Sequence, residues 1–386
     1  FNFMLTDADT IRATLDSPDQ AATGIPLGRV RVKNDSLFVN APLVRGNYRG
    51  FVSSDSVITG TWSQLGKDYD MKLSKHNGPV VLRRPQEPKP PYPYSEEEVT
   101  FRNMTENFDL SGTLTLPQGE GPFPAVVLIT GSGAQDRNES LLGHKPFLVL
   151  SDYLTRNGIA VLRYDDRGTG KSKGSMGRAT SLSLAGDAGA ALNYLQTRPE
   201  IDKTQTGLIG HSEGGFIASI VASQNPGVAF IVSLAGTGIR GYDLLMKQNR
   251  EINTASGMSE EEVNETISRM SKICQMVMAE GDQRKVAKDA IDWFNKDMEE
   301  RGVLPGDRQT EMSKFTQMLV SVNNPWFRYF LATDPADFWF KVTCPVLALN
   351  GEKDLQVNYE QNLPAIRKAL KKGGNKDFES KIFIKA

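Results

Sequence analysis

Histidine is scarce in this chain. Only His76, His144 and His211 occur in 386 residues. Cysteine is scarcer still, with Cys274 and Cys344 far apart, which excludes a disulfide framework and favours two thiols over one bridge. No spacing of His, Cys, Asp and Glu suits a metal ion, so no metal site is expected. No apolar run approaches the roughly 18 residues that span a bilayer. Neither sign of charge dominates. The 45 basic and 46 acidic side chains leave a formal net charge of −1, whereas a nucleic-acid surface needs a basic excess. The chain does not open on methionine, and Phe1-Asn2-Phe3 reads as the middle of a strand.

What is present points to two or three domains at about 150 residues each. Residues 1–85 read as all-β, with short alternating runs such as Arg29-Val30-Arg31-Val32, Ser36-Leu37-Phe38-Val39 and Tyr69-Asp70-Met71-Lys72-Leu73 separated by turn residues. That spacing suggests a small sandwich or barrel. The proline-rich stretch 86–97 reads as a stiff linker. From 98 to 386 the grammar changes. Near-continuous apolar runs (Ala125-Val126-Val127-Leu128-Ile129, Ile159-Ala160-Val161-Leu162, Gly207-Leu208-Ile209, Phe230-Ile231-Val232, Val346-Leu347-Ala348-Leu349) alternate with helical stretches. Strands so apolar are covered on both faces, giving a doubly wound α/β sheet that is mostly parallel. Between about 239 and 340 the alternation stops, and a helical insertion is expected there. Within it the steps from Val263 through Ile267, Met270 and Ile273 to Val277 mark a packing face.

The strongest motif is Gly210-His211-Ser212-Glu213-Gly214, set between a buried strand and a small-residue helix. Gly-x-Ser-x-Gly in that context holds the serine on a strained corner with its hydroxyl exposed. Ser212 is therefore the candidate nucleophile. Four further motifs accompany it in order: Gly131-Ser132-Gly133-x-x-Asp136-Arg137, Gly143-His144-Lys145-Pro146-Phe147, Asp165-Asp166-Arg167-Gly168-x-Gly170-x-Ser172 and Asn350-Gly351-x-x-Asp354. With them the chain resembles the α/β-hydrolases, nearest to bacterial esterases and serine aminopeptidase-like hydrolases that carry an N-terminal lipocalin-like β domain. The segment around Ser17-Pro18-Asp19-Gln20 resembles that β domain.

The resemblance implies an α/β-hydrolase fold with a helical cap, preceded by a small all-β domain. It also implies an exported protein, periplasmic or secreted, with a signal peptide in its precursor. The expected oxyanion donors are the backbone amide of Glu213 and that of Ser132, with Gly133 as the alternative. Asp354, just past a late strand, is the expected triad acid. The base of this family follows the last strand, and 381–386 reads as that strand, so the base is expected beyond Ala386. His76, His144 and His211 fit the role poorly. His211 in particular adjoins the nucleophile and cannot curl back onto it. The Gly-Lys-Ser of residues 170–172 lacks the spacing of a phosphate loop, since Asp165 stands where a glycine is required. A structural tie through Arg167 and the aspartates is expected there instead. Phe327, Tyr329 and Phe330 belong to an aromatic cluster that serves either as packing between cap and core or as a substrate-pocket wall. Glu213 either meets a substrate amine or faces its helix neighbours.

The expected activity is hydrolysis of a small carboxylic ester through an acyl-Ser212 intermediate, without cofactor. A peptidase acting near a peptide N-terminus is the alternative, and a non-catalytic binding protein on the same fold is a third reading.

Overall fold

A computed structural model describes residues 1–6, 11–17, 22–64, 66–76, 84–279 and 282–384. The sequence readings at residue 10, at 18–20, at the end of the turn 75–78, at 280–281 and at 385–386 lie outside them. The chain divides into two compact units, one of residues 1–87 with 140–145, the other of 88–139 with 146–386.

The first unit is built of antiparallel strands. β1 (Asn2–Leu5), β2 (Ile11–Ser17) and β3 (Ala22–Pro26) form one sheet. β4 (Val30–Lys33), β5 (Ser36–Ala41), β6 (Gly46–Ser54), β7 (Val57–Gln64) and β8 (Lys67–Ser74) form a meander in sequence order. Alternation does the work, because Leu37, Val39 and Ala41 point inward with Tyr48 and Trp62. Sequence reasoning missed β6. Its inward positions include Gly46, where a side chain would sit 2.2 Å from the Trp62 ring. Gly50 holds another inward position, so Tyr48 alone carries the strand's apolar alternation.

The second unit holds β9 (Ser95–Asn103), β10 (Phe108–Leu116), β11 (Phe123–Ile129), β12 (Ala160–Tyr164), β13 (Ile201–His211), β14 (Ile231–Leu234), β15 (Val346–Gly351) and β16 (Phe378–Phe383). β9 starts at Ser95, inside the stretch 86–97 read as linker, because 95–103 finds a full antiparallel partner in β10. Their order in the sheet is β16-β15-β14-β13-β11-β12-β10-β9. β9, β10 and β12 pair antiparallel, and every other neighbour is parallel. This is the α/β-hydrolase sheet. Both faces are covered. Along β11, Val126 and Leu128 face one apolar cluster, while Ala125, Val127 and Ile129 face another. That double burial explains the unbroken apolar runs. α1 (Pro146–Arg156) places Phe147 in the first cluster, and α2 (Ser181–Thr197) and α3 (Glu213–Gln224) fill the second.

Between β14 and β15 the described residues form six helices: α4 (Gly241–Ala255), α5 (Glu260–Met278), α6 (Gln283–Glu300), α7 (Pro305–Val322), α8 (Pro325–Ala332) and α9 (Ala336–Trp339). The cap has its own core, formed by Ile273, Val277, Phe294, Phe315 and Leu331. The packing face read from Val263 to Val277 belongs to α5, and α6 is a separate helix. Asp282 caps α6 by accepting from the Lys285 amide at 2.8 Å, which satisfies an otherwise orphaned donor. α10 (Tyr359–Lys372) closes the fold. Cys274 and Cys344 are both free thiols. Among the described residues no helix is long and apolar enough to cross a membrane, and no acid–His–Cys cluster could hold a metal ion.

Candidate active site

Ser212 sits at the junction of β13 and α3 with φ 52° and ψ −117°. A non-glycine residue there is strained. The corner is fixed by two hydrogen bonds: the Ser212 amide donates to Leu234 O (2.8 Å), and the Gly215 amide donates to Ser212 O (3.0 Å). The flanking glycines are required by space. A side chain on Gly214 would lie 2.2 Å from Ile129 O, and one on Gly210 would lie 2.1 Å from Gly214 O. α3 thus starts hard against the end of β11, bringing the Glu213 amide to the loop that follows that strand.

That loop, 130–139, is tied down by the Asp165-Asp166-Arg167 motif. Asp166 accepts from Thr130 Oγ (2.9 Å) and the Gln135 amide (2.9 Å). Burial pushes its carboxyl up to about 7, despite those hydrogen bonds. Asp165 accepts from the Arg137 amide (3.0 Å) and from two Arg137 side-chain nitrogens (3.0 and 2.8 Å). Burial opposes its ionisation, but the Arg137 contacts and the Lys171 amide outweigh it and hold the carboxyl below its ordinary range. Arg167 forks onto Asp187 (2.7 and 3.0 Å) and Glu106 (2.8 and 2.9 Å). The structural role expected of this motif is what the bonds describe. With Asp165 filled by Arg137, it is an internal brace.

The amides of Ser132, Gly133 and Glu213 donate to no protein acceptor among the described residues, whereas the Gly131 amide donates to Glu139 Oε1 (2.7 Å). The Glu213 side chain faces its helix neighbours. It is 2 % exposed and accepts from Ser181 Oγ (2.6 Å) and Trp326 Nε1 (2.7 Å). Burial raises its pKa, against the hydrogen bonds of Ser181, Trp326 and Ser132.

Asp354 lies just past β15. It accepts from the Gln356 amide (2.8 Å) and the Val357 amide (2.9 Å). Its charge reaches His211. Burial pulls the His211 imidazole down, but the Glu139 hydrogen bond and charge, with the charge of Asp354, leave it above the ordinary range. His211 Nδ1 pairs with Glu139 Oε1 at 2.7 Å. Ser212 Oγ has no hydrogen-bond partner among the described residues, and His76 and His144 belong to the first unit.

Phe327 and Phe330 pack on the cap core, and Tyr329 packs on the core of the sheet. The residue of that cluster that reaches the nucleophile's neighbour is Trp326, stacked on Phe330 with ring centroids 5.4 Å apart. Sequence reasoning passed over Glu139, and it placed Trp326 in the aromatic cluster of 324–330 without finding its partner. Their partners are distant in sequence, and only the acid in 131–139 and the tryptophan after Asn324-Pro325 offered any signal.

Residues 146–289 match the family of serine aminopeptidases, S33. Esterase EstD of Thermotoga maritima is 25 % identical over 69 % of this chain and 54 % of its own length. The human mitochondrial acyl-coenzyme A thioesterase 2 is 30 % identical over 33 % of this chain and 23 % of its own length. The chain therefore spans about half or less of these relatives. Among solved structures, the α/β-hydrolase GrgF from Penicillium sp. sh18 superposes with a TM-score of 0.48 at 17 % identity, covering 76 % of this chain and 90 % of its own. Sheet order and serine corner give this chain the α/β-hydrolase fold, and its sequence is similar to those of esterases and of the serine aminopeptidases.

Proposed function

We propose that this chain is a serine hydrolase that cleaves small carboxylic esters through an acyl-Ser212 intermediate. The observation that carries the reading is Ser212 itself, held at φ 52° between β13 and α3, beside a loop in which the Ser132 and Gly133 amides donate to no acceptor among the described residues. Ser212 Oγ attacks the ester carbonyl. The negative oxygen that develops is received by the Glu213 amide and by the Ser132 or Gly133 amide, donors worth about 3 kcal/mol each in such sites. The alcohol leaves, and water then releases the acid from the acyl-enzyme. Asp354, anchored by two backbone amides, is the acid that orients the base. The base lies outside the hydrogen bonds of Ser212 described above. His211 is not it, because no hydrogen bond joins its ring to Ser212 Oγ among the described residues.

Esters are favoured over peptides because the Glu213 carboxylate, which a substrate amine would need, is buried on Ser181 and Trp326. The match to serine aminopeptidases keeps peptide cleavage as the second reading. A fluorophosphonate probe should label the wild-type protein and not Ser212→Ala. Hydrolysis of p-nitrophenyl acetate without cleavage of aminoacyl p-nitroanilides supports the esterase. The opposite pattern establishes the peptidase, and no labelling leaves a binding protein.

A further inference from the structure

One buried carboxylate grips both flanks of the nucleophile. Glu139 Oε1 accepts from the Gly131 amide, which opens the oxyanion loop, and from His211, which precedes Ser212, each at 2.7 Å. The contact is close. A Cβ added to Gly131 would lie 3.3 Å from Glu139 Oε1, from His211 Nδ1 and from Ser212 Cβ alike.

Glu139 is an unfavourable residue for its place. It is 5 % exposed, which penalises a charge. Its backbone is left-handed at φ 51°, which strains a non-glycine residue. The surrounding turn over-determines that conformation. The Glu139 amide donates to Asp136 O (2.9 Å), and the Phe147 amide donates to Asn138 O (3.1 Å). Arg163 donates to the Asn138 side chain, and Arg137 is locked onto Asp165. A rigid mount thus carries one acid to one point.

That point decides which amides remain for chemistry. With the Gly131 amide consumed, only those further along the loop can meet a substrate oxygen. With His211 held by the same oxygen, the end of β13 and the start of the loop cannot separate. We infer that Glu139 is a positioning residue: it fixes the distance between the Ser212 hydroxyl and the oxyanion amides. This rests on the serine-hydrolase reading. It touches no substrate, so its loss lowers kcat rather than raising KM.

The test compares Glu139→Ala, Glu139→Asp and Glu139→Gln in the intact protein. kcat is expressed per Ser212 labelled by fluorophosphonate, which removes any misfolded fraction. Glu139→Ala should lower kcat by about 100-fold, the penalty of a misplaced reacting group, with KM within about twofold of wild type. Glu139→Asp keeps the charge but withdraws the oxygen by one methylene, and should lose about 10-fold. Glu139→Gln keeps an acceptor oxygen at the same reach, and should stay within about threefold of wild type. Wild-type kcat in Glu139→Asp, or Glu139→Gln as slow as Glu139→Ala, overturns the role. If the alanine variant does not fold, the aspartate variant carries the test alone. A wild-type protein unlabelled at Ser212 sinks the hydrolase reading, whereas labelled Ser212 with an unimpaired Glu139→Asp sinks only the positioning role.

Discussion

At the scale of single residues, the site is a set of backbone conformations that side chains do not like. Ser212 holds φ 52° and ψ −117°, a region that costs of order 1–3 kcal/mol outside glycine. The strain remains when the hydroxyl is removed, because it belongs to Cβ. Ser212→Gly should therefore be more stable than Ser212→Ala by about 1 kcal/mol, the relief being partly offset by glycine's greater unfolded entropy. Neither variant should react with a fluorophosphonate. Urea titration of the pair measures the difference, and equal midpoints would show that the corner is unstrained. Gly214 is the reverse case. A methyl there meets Ile129 O at 2.2 Å, backbone against backbone-fixed atom, so nothing can rotate away. Gly214→Ala should cost about 3 kcal/mol, at the upper end of overpacking. A thermal midpoint matching wild type would contradict the contact.

Elements explain why part of this was legible in sequence and part was not. The serine corner is local. Strand, glycines and helix lie within one stretch, so the pattern around Ser212 carries its own evidence. The unbroken apolar runs of β11 and β12 report burial on both faces, which is why the sheet could be read. Trp326 reports nothing locally, since its partner is Glu213, far back in the chain. In the fold, side chains from the first turns of three helices meet at that carboxylate: Ser181 of α2, Glu213 of α3 and Trp326 of α8. Helix starts favour a negative group, yet burial leaves the Glu213 pKa raised. Trp326→Phe keeps the ring stack on Phe330 but deletes the donor. Leaving a buried carboxyl with one donor fewer should cost about 1–3 kcal/mol. It should also loosen α8 against the nucleophile helix. Differential hydrogen exchange across 325–332 would detect this, and unchanged protection would show that the tie is not what holds α8. β6 was illegible for another reason: glycines stand at its inward positions Gly46 and Gly50, so only Tyr48 carries its apolar alternation.

For the whole molecule, the acids displaced from their ordinary values set how stability follows pH. Asp165 and Glu98 are held below their ordinary values: burial opposes but Arg137 wins for the first, and the Lys171 hydrogen bond leads for the second. Their contribution is present above the unfolded pKa and lost as pH falls through the folded one. Asp166, Asp187 and Glu213 are displaced upward, burial being the first cause in each. His211 is also raised, its burial overcome by Glu139 and Asp354. For these four the folded state holds its proton more tightly, so their contribution is full below the unfolded pKa and lost as pH rises through the folded one. Asp166 gives the window. An unfolded aspartate titrates near about 3.9, and this one is pushed up to about 7, so its contribution declines from roughly pH 4 and is gone just above neutrality. Asp166→Asn has no proton to lose. Its urea midpoint relative to wild type should therefore rise between pH 5 and pH 8, whatever the constant cost of changing the Thr130 and Gln135 contacts. A midpoint difference independent of pH over that range would mean that the Asp166 carboxylate is already ionised in the folded protein at pH 5, with Thr130 and the Gln135 amide compensating its burial in full.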